Sequence, residues 1–260
     1  MSYAISLRTE IIKTKRSAAL WICILGAGFM PAIFTLVMIL NPKEFLKEPD
    51  FASNPWQALF GIAWQSFLIF LLPLFVIIVC SMIVQIEYKN NTWKQVFASP
   101  QSIGNIFFSK YSTILLMIIF LFVMFNLFLM GGAILANLIN SKYTFLSSSL
   151  PISSILKMDL KSFVSLLGII SIQYWLSLRL KNFIVPIGIG LCLLITSMII
   201  QRWEHIYKFP YAYSFLTFRT MGITLRGGPL FQNHELNSMC WFVAVSALAF
   251  FDMRFRKERG

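Results

Sequence analysis

A chain of 260 residues that is 58% hydrophobic and only 12% charged, with a mean hydropathy of +0.74, lies outside the range of soluble globular domains and reads as an integral membrane protein. Its net charge of +12 does not argue for a nucleic-acid partner, because membrane proteins gather Lys and Arg in cytoplasmic loops whatever they do. Cys23, Cys80, Cys192 and Cys240 all fall in apolar runs with no C-x-x-C pair or nearby histidine, which supports neither a metal nor a redox motif and leaves them as small buried hydrophobes.

Residues 1–17 contain Arg8, Lys13, Lys15 and Arg16, while Tyr3, Leu7 and Ile11 recur every four residues. The pattern predicts a short amphipathic helix lying on the inner leaflet. The apolar run 18–40 has 23 residues, too long for a cleaved signal-peptide core, and is expected to be a permanent first span. Gly26, Gly28 and Pro31 within it are ordinary in membrane helices. A polar loop over 41–57 leads to a second span over 58–84, with Trp64 and Gln65 near its outer end and Pro73 inside it.

Residues 87–110, EYKNNTWKQVFASPQSIGNIFFSK, form the most polar and most tightly patterned interruption of the chain. Thr92 stands three residues before Gln95, the spacing that lets a hydroxyl and an amide satisfy free N–H groups at a helix start. Trp93, Val96 and Phe97 then make one helical stripe until Pro100 disfavours continuation. Ile103, Ile106 and Phe107 repeat that spacing, so two short amphipathic pieces separated by a proline are expected along the membrane surface.

A third span follows over 111–136 with Asn126 in its middle, then a serine-rich loop over 137–161, a fourth span over 162–178 and a fifth over 183–200 joined by a tight basic hairpin. Residues 201–237 are rich in aromatics, Tyr211 and Phe215 among them, but too interrupted for a span. Interfacial or re-entrant helices are expected there, packed on the bundle because bare backbone cannot face lipid. A short sixth span over 238–251 precedes a charged C-terminus. On this layout one side carries thirteen Lys and Arg in 56 residues and the other nine in about 80, which places both termini in the cytoplasm. Asn90-Asn91-Thr92 fits a glycosylation acceptor, but on the cytoplasmic side that match is chance. The whole is an all-α membrane protein, one transmembrane domain of six helices.

Chemistry is scarce in these spans. None of the six holds Asp, Glu, Lys, Arg or His away from its ends, which argues against a proton or ion relay. Gln65, Asn126 and Gln173 are the interior polar groups, read first as interhelical hydrogen-bond partners and second, with Tyr211 and Phe215, as a substrate path. No G-x-x-x-x-G-K-[ST], H-E-x-x-H or G-x-S-x-G sequence occurs, so the chain brings neither a nucleotide loop nor a recognisable catalytic centre. Energy for any transport then comes most simply from a partner.

The basic N-terminal helix, six spans with both ends inside, and a loop between spans two and three carrying Glu87, Thr92, Pro100 and Lys110 resemble the membrane subunits of ABC-2 type transporters. Among these, the short permeases of bacteriocin-immunity and antibiotic-resistance exporters look most similar. In that family an E-x(3–4)-G-T-like stretch, a short helix, Ser-Pro and a downstream Lys form the coupling helix that docks on the ATPase. Asn91 stands here where Gly is usual, and Asn tolerates the left-handed turn. The resemblance implies that Glu87, Tyr88, Asn91, Thr92, Trp93, Val96, Phe97 and Pro100 couple to the ATPase. It also implies a permease dimer of identical or related chains over two ATPase subunits, ATP and Mg bound on those subunits and no cofactor in this chain, membrane lipids around it, and a place in the bacterial inner membrane. The cargo implied is hydrophobic or amphipathic, a peptide antibiotic or a lipid.

On physical grounds Glu87 is expected to pair with a basic residue of the N-terminal helix or of the ATPase, and Trp93, Val96 and Phe97 to rest on lipid or fill an ATPase groove. Two rivals remain open from sequence. One is a non-transporting anchor or assembly subunit of an envelope complex. The other is a lipid-modifying enzyme drawing on Asp159, Glu204, His205, His234 and Glu235.

Overall fold

Long apolar runs in a lipid surround must satisfy their own backbone, and helices do so within one segment. The computed structural model describes residues 3–15, 17–46, 51, 54–90, 92–98, 100–225 and 228–255, apart from the side chains of Glu44, Phe97, Ala98 and residues 222–225. Among the described residues every regular element is helical. Helix α1 (Tyr3–Lys15) precedes α2 (Ala18–Leu40) and the short α3 (Pro42–Leu46). Helices α4 (Pro55–Ser66) and α5 (Leu72–Lys89) are joined without a break by a π-helical turn, Phe67–Leu71. The widened turn precedes Pro73, which has no N–H to continue the ladder. Helix α6 (Trp93–Ala98) is followed by α7 (Ile103–Ile139), α8 (Ile152–Arg179), α9 (Ile184–Ile199), two 3-10 turns, α10 (Tyr213–Leu225) and α11 (Asn233–Phe255).

Four helical stretches are long and apolar enough to cross a membrane: α2, the continuous Pro55–Lys89, α7 and α11. Helix α9 is a shorter apolar helix, and α8, at 28 residues, carries Lys157, Asp159 and Lys161 in its early turns. The Pro55–Lys89 stretch is the most enclosed of the four. It packs on α2, α8 and α9, α7 lies along α2, and α11 lies along α8. Helix α1 lies across the start of α7, and the end of α11 meets the same region through Phe250 on Phe107 and Phe108. The first and last helices therefore meet at one end of the bundle, here called the terminal end.

Several sequence expectations are revised. The piece 103–107 is not a separate surface helix but the first turns of α7, capped by the Ser102 hydroxyl, which accepts from Asn105 N at 3.2 Å. Nothing between Ile103 and Tyr111 breaks a helix, and Lys110, which reads as the edge of a loop, is neutralised in place. Helix α1 does not pack through Tyr3, Leu7 and Ile11. Its buried stripe is polar, Ser6, Glu10 and Thr14, while Tyr3, Ile5 and Ile12 point outward, because the polar groups find partners inside, Ser6 on Gln101 and Glu10 on Lys110. Finally, Cys23 and Cys80 are buried as expected, but Cys192 and Cys240 are exposed, because each lies on the outward face of its apolar helix.

Candidate functional site

At the terminal end four charges from three helices close into one cluster. Lys110 Nζ of α7 lies 2.7 Å from Glu10 Oε2 of α1 and 2.6 Å from Glu87 Oε1 of α5. Lys13 Nζ of α1 lies 2.9 Å from Glu10 Oε1 and 3.1 Å from Glu87 Oε1. The Lys110 and Glu87 side chains are 0% exposed and Lys13 is 34% exposed. Two carboxylates and two ammonium groups balance, which is the condition for keeping ions in such a place. Burial works against the charged form of Glu10, but Lys110 and Lys13 outweigh it and hold its carboxyl below the ordinary value. Burial likewise opposes Lys13, and Glu10 and Glu87 outweigh it and raise the ammonium above its ordinary value. Glu87 Oε2 is buried without a hydrogen-bond partner among the described residues.

Helix α6 hangs on this cluster. Thr92 N donates to Glu87 O at 3.0 Å, closing the turn between α5 and α6. The Trp93 ring lies under Lys110 Nζ, 5.7 Å from the ring centroid, and 5.3 Å from the Tyr88 ring. Tyr88 Oη in turn donates to Leu178 O of α8 at 2.8 Å. Trp93 is 8% exposed, so within this chain it packs inward rather than outward along the stripe. It is turned inward because a fully buried cation offers its indole face a better contact than lipid does. Val96 is half-buried, Lys94, Gln95 and Pro100 are exposed, Asn91 lies outside the described residues, and Phe97 belongs to α6 with its side chain outside the description. A cavity of about 330 Å³, lined by Glu10, Lys13, Glu87, Thr92, Gln95 and Val96 among others, lies against α1 and α6.

The five residues read as a path do not form one line. Gln173 is fully buried and its Nε2 donates to Ser81 Oγ at 3.0 Å and to Pro186 O at 2.8 Å, while Tyr211 Oη donates to its Oε1 at 3.3 Å. These bonds knot α5, α8, α9 and the 3-10 turn together. Asn126 Nδ2 donates to both oxygens of Asp159, at 3.1 and 2.9 Å. Phe215 packs in a small cluster with Ile206, Tyr213 and Leu216. Gln65 is exposed on α4 and so is not an interior group.

A second charged cluster closes the opposite end; the sequence reading named its His234 and Glu235 as possible catalytic groups but not their pairing with Lys161 and Thr217. Lys161 Nζ lies 3.1 Å from Glu235 Oε1 with both side chains fully buried, and donates to Leu230 O at 3.0 Å. Glu235 also accepts from Gln232 N, the reach-back of a capping box at the start of α11. Thr217 Oγ1 lies 3.1 Å from His234 Nε2, and Glu235 Oε1 approaches that same nitrogen at 3.6 Å. A carboxylate on the nitrogen that meets the hydroxyl cannot orient the imidazole as a base, and Glu204 and His205 are exposed and apart from it. The set reads as a structural clasp holding α10 and α11 on α8. The signal missed was the Gln232–Glu235 capping spacing.

A family model described as ABC-2 family transporter protein matches residues 6–197, which takes in most of α1 and the whole Glu87–Lys110 segment. No curated protein and no solved structure matches the chain.

Proposed function

The chain belongs to the ABC-2 family of transporter proteins, and from that premise we propose that it is the membrane subunit of an exporter driven by a separate ATPase chain that docks on α6. The observation that carries the reading is the mounting of α6. One short helix is tied through Glu87 to α5, through Trp93 and Lys110 to α7, through Glu10 and Lys13 to α1, and through Tyr88 to α8. A push on α6 reaches four helices at once, as a packed ionic cluster transmits displacement rather than absorbing it.

In this reading six helices cross the bacterial inner membrane with both termini in the cytoplasm, α8 and α9 supplying the fourth and fifth crossings. Two permease chains, identical or related, stand over two ATPase subunits that bind ATP and Mg. The cargo is hydrophobic or amphipathic, a peptide antibiotic or a lipid as in bacteriocin-immunity exporters, since few charges line the apolar interior between the two end clusters. The face α6 offers outward is Lys94 and Gln95, so these rather than Trp93 are the residues to test.

The experiment is copurification of the ATPase with the tagged permease from native membranes, for the parent chain and for a Lys94→Glu/Gln95→Glu variant. The variant is expected to insert normally and lose most of the bound ATPase. An unchanged yield of ATPase refutes docking on α6, and the absence of any ATPase with the parent chain refutes the exporter reading itself.

A further inference from the structure

A cleft of about 930 Å³ opens at the terminal end where α5, the start of α2 and the α8–α9 hairpin diverge. Its exposed rim carries Lys89 and Lys181, with Lys13 in the lining; Met82 and Ile86, half-buried one to two turns earlier on α5, form its apolar floor, and Ala18 and the exposed Phe183 complete the lining. No Asp or Glu is among the lining residues, although the neighbouring cavity is lined by Glu10 and Glu87. Lys13 serves both: its ammonium is already balanced by Glu10 and Glu87. Lys89 and Lys181 are exposed, and no ion pair engages them among the described residues. The cleft thus carries an excess of two cations at its mouth.

Depth is set by α5. Met82 stands seven residues before Lys89, which at 1.5 Å per residue puts the apolar floor about 10 Å below the charged rim. Lys89 closes a membrane-crossing stretch, so the rim lies at the level of lipid headgroups and the floor at the level of acyl chains. Gln85, Asn182 and Ser17 add polar groups to the lining. A free phosphate would use the rim and leave the floor in water, and a neutral lipid would use the floor and leave the lysines without an anion.

We propose that this cleft binds an acidic phospholipid, its phosphodiester between Lys89 and Lys181 and the upper part of an acyl chain against Met82, Ile86 and Phe183. Basic pockets between membrane helices take such headgroups, each lysine adding to the preference for an anionic over a zwitterionic lipid. The site stands apart from transport and does not rest on the exporter reading.

The test is native mass spectrometry of the full chain released from bilayers of phosphatidylcholine with an equal amount of phosphatidylglycerol, without any ATPase. The parent chain is expected to retain phosphatidylglycerol selectively, and Lys89→Gln/Lys181→Gln to lower that selectivity by about tenfold or more. Lys142→Gln, an exposed lysine of the opposite end, is expected to leave it unchanged and so controls for bulk charge. Retention without selectivity in the parent chain overturns the proposal, as does selectivity that survives the double substitution. Protection of Lys89 and Lys181 from amine labelling by a bound protein, with no lipid retained, overturns it in favour of a protein seat.

Discussion

Lys110 has both of its carboxylate partners within 2.7 Å and is itself fully buried, so its loss leaves Glu10 and Glu87 as poorly compensated neighbours. Lys110→Met is expected to lower stability by roughly 3–5 kcal/mol, the cost of breaking a buried pair. Lys13→Met, at a position 34% exposed, is expected to cost about 1 kcal/mol or less because water screens it. Thermal unfolding in detergent reads the difference, and equal losses for the two would show that the cluster is solvated. The pH dependence has a definite sign. The folded value of Glu10 is depressed, so its contribution is complete above its ordinary value of 4.5 and is lost as pH falls through the lower folded value. That of Lys13 is raised, so its contribution is complete below its ordinary value of 10.5 and is lost as pH rises through the higher folded value. The share of the unfolding temperature that this cluster supplies is therefore expected to be level between those limits and to fall on the acid side through Glu10. In Glu10→Gln the part of the acid loss due to this residue disappears.

Helices were legible in the sequence as apolar runs, and their ends were not. The run 18–40 coincides with α2, whereas the runs 111–136 and 162–178 sit inside the longer helices Ile103–Ile139 and Ile152–Arg179. A run ends at the first ionisable residue, while a helix continues through it when another helix supplies the counter-charge, as Glu10 does for Lys110 and Glu235 for Lys161. Such partners are distant in sequence and leave no local mark. The Thr92-x-x-Gln95 spacing and the stripe after it did mark α6, because capping and periodicity are local, but the inward turn of Trp93 was set by Lys110 and could not be read from the stripe. Glycine shows the same division within α9. A Cβ at Gly190 would stand 2.7 Å from Gln173 Oε1 and 2.8 Å from Ile77 Cγ2, while one at Gly188 meets nothing within 4 Å. Gly190→Val is expected to pry α9 from α5 and α8 and to break the Gln173 knot, lowering the unfolding temperature by several degrees. Gly188→Val is expected to change it little. Equal behaviour of the two would mean that α9 does not seat against Gln173.

At the scale of the whole molecule, ionisable side chains gather in buried clusters towards the two ends of the bundle, and the length between them is held by apolar contacts and the uncharged Gln173 knot. From Lys161 to Leu178, whose carbonyl accepts from Tyr88, α8 rises 17 residues, about 25 Å, a little under the hydrocarbon thickness of a bilayer. That separation suits two clusters placed near the two boundaries of a bilayer, where charged groups cost least. Between them the outer side of α2 presents Trp21, Leu25, Phe29, Ile33, Leu36 and Leu40, all exposed, at the three- and four-residue steps of one helical face. Lipid or a second permease chain must cover that stripe, and tryptophan fluorescence separates the two. Trp21 is 64% exposed and Trp64 fully buried, so phospholipids brominated in their acyl chains quench Trp21 on contact and cannot reach Trp64. If α2 faces lipid, Trp21→Phe removes a substantial share of the quenching seen in the parent chain and Trp64→Phe removes almost none. If a second copy covers α2, neither substitution lowers the quenching in the intact assembly, and Trp21 becomes accessible only when detergent separates the copies.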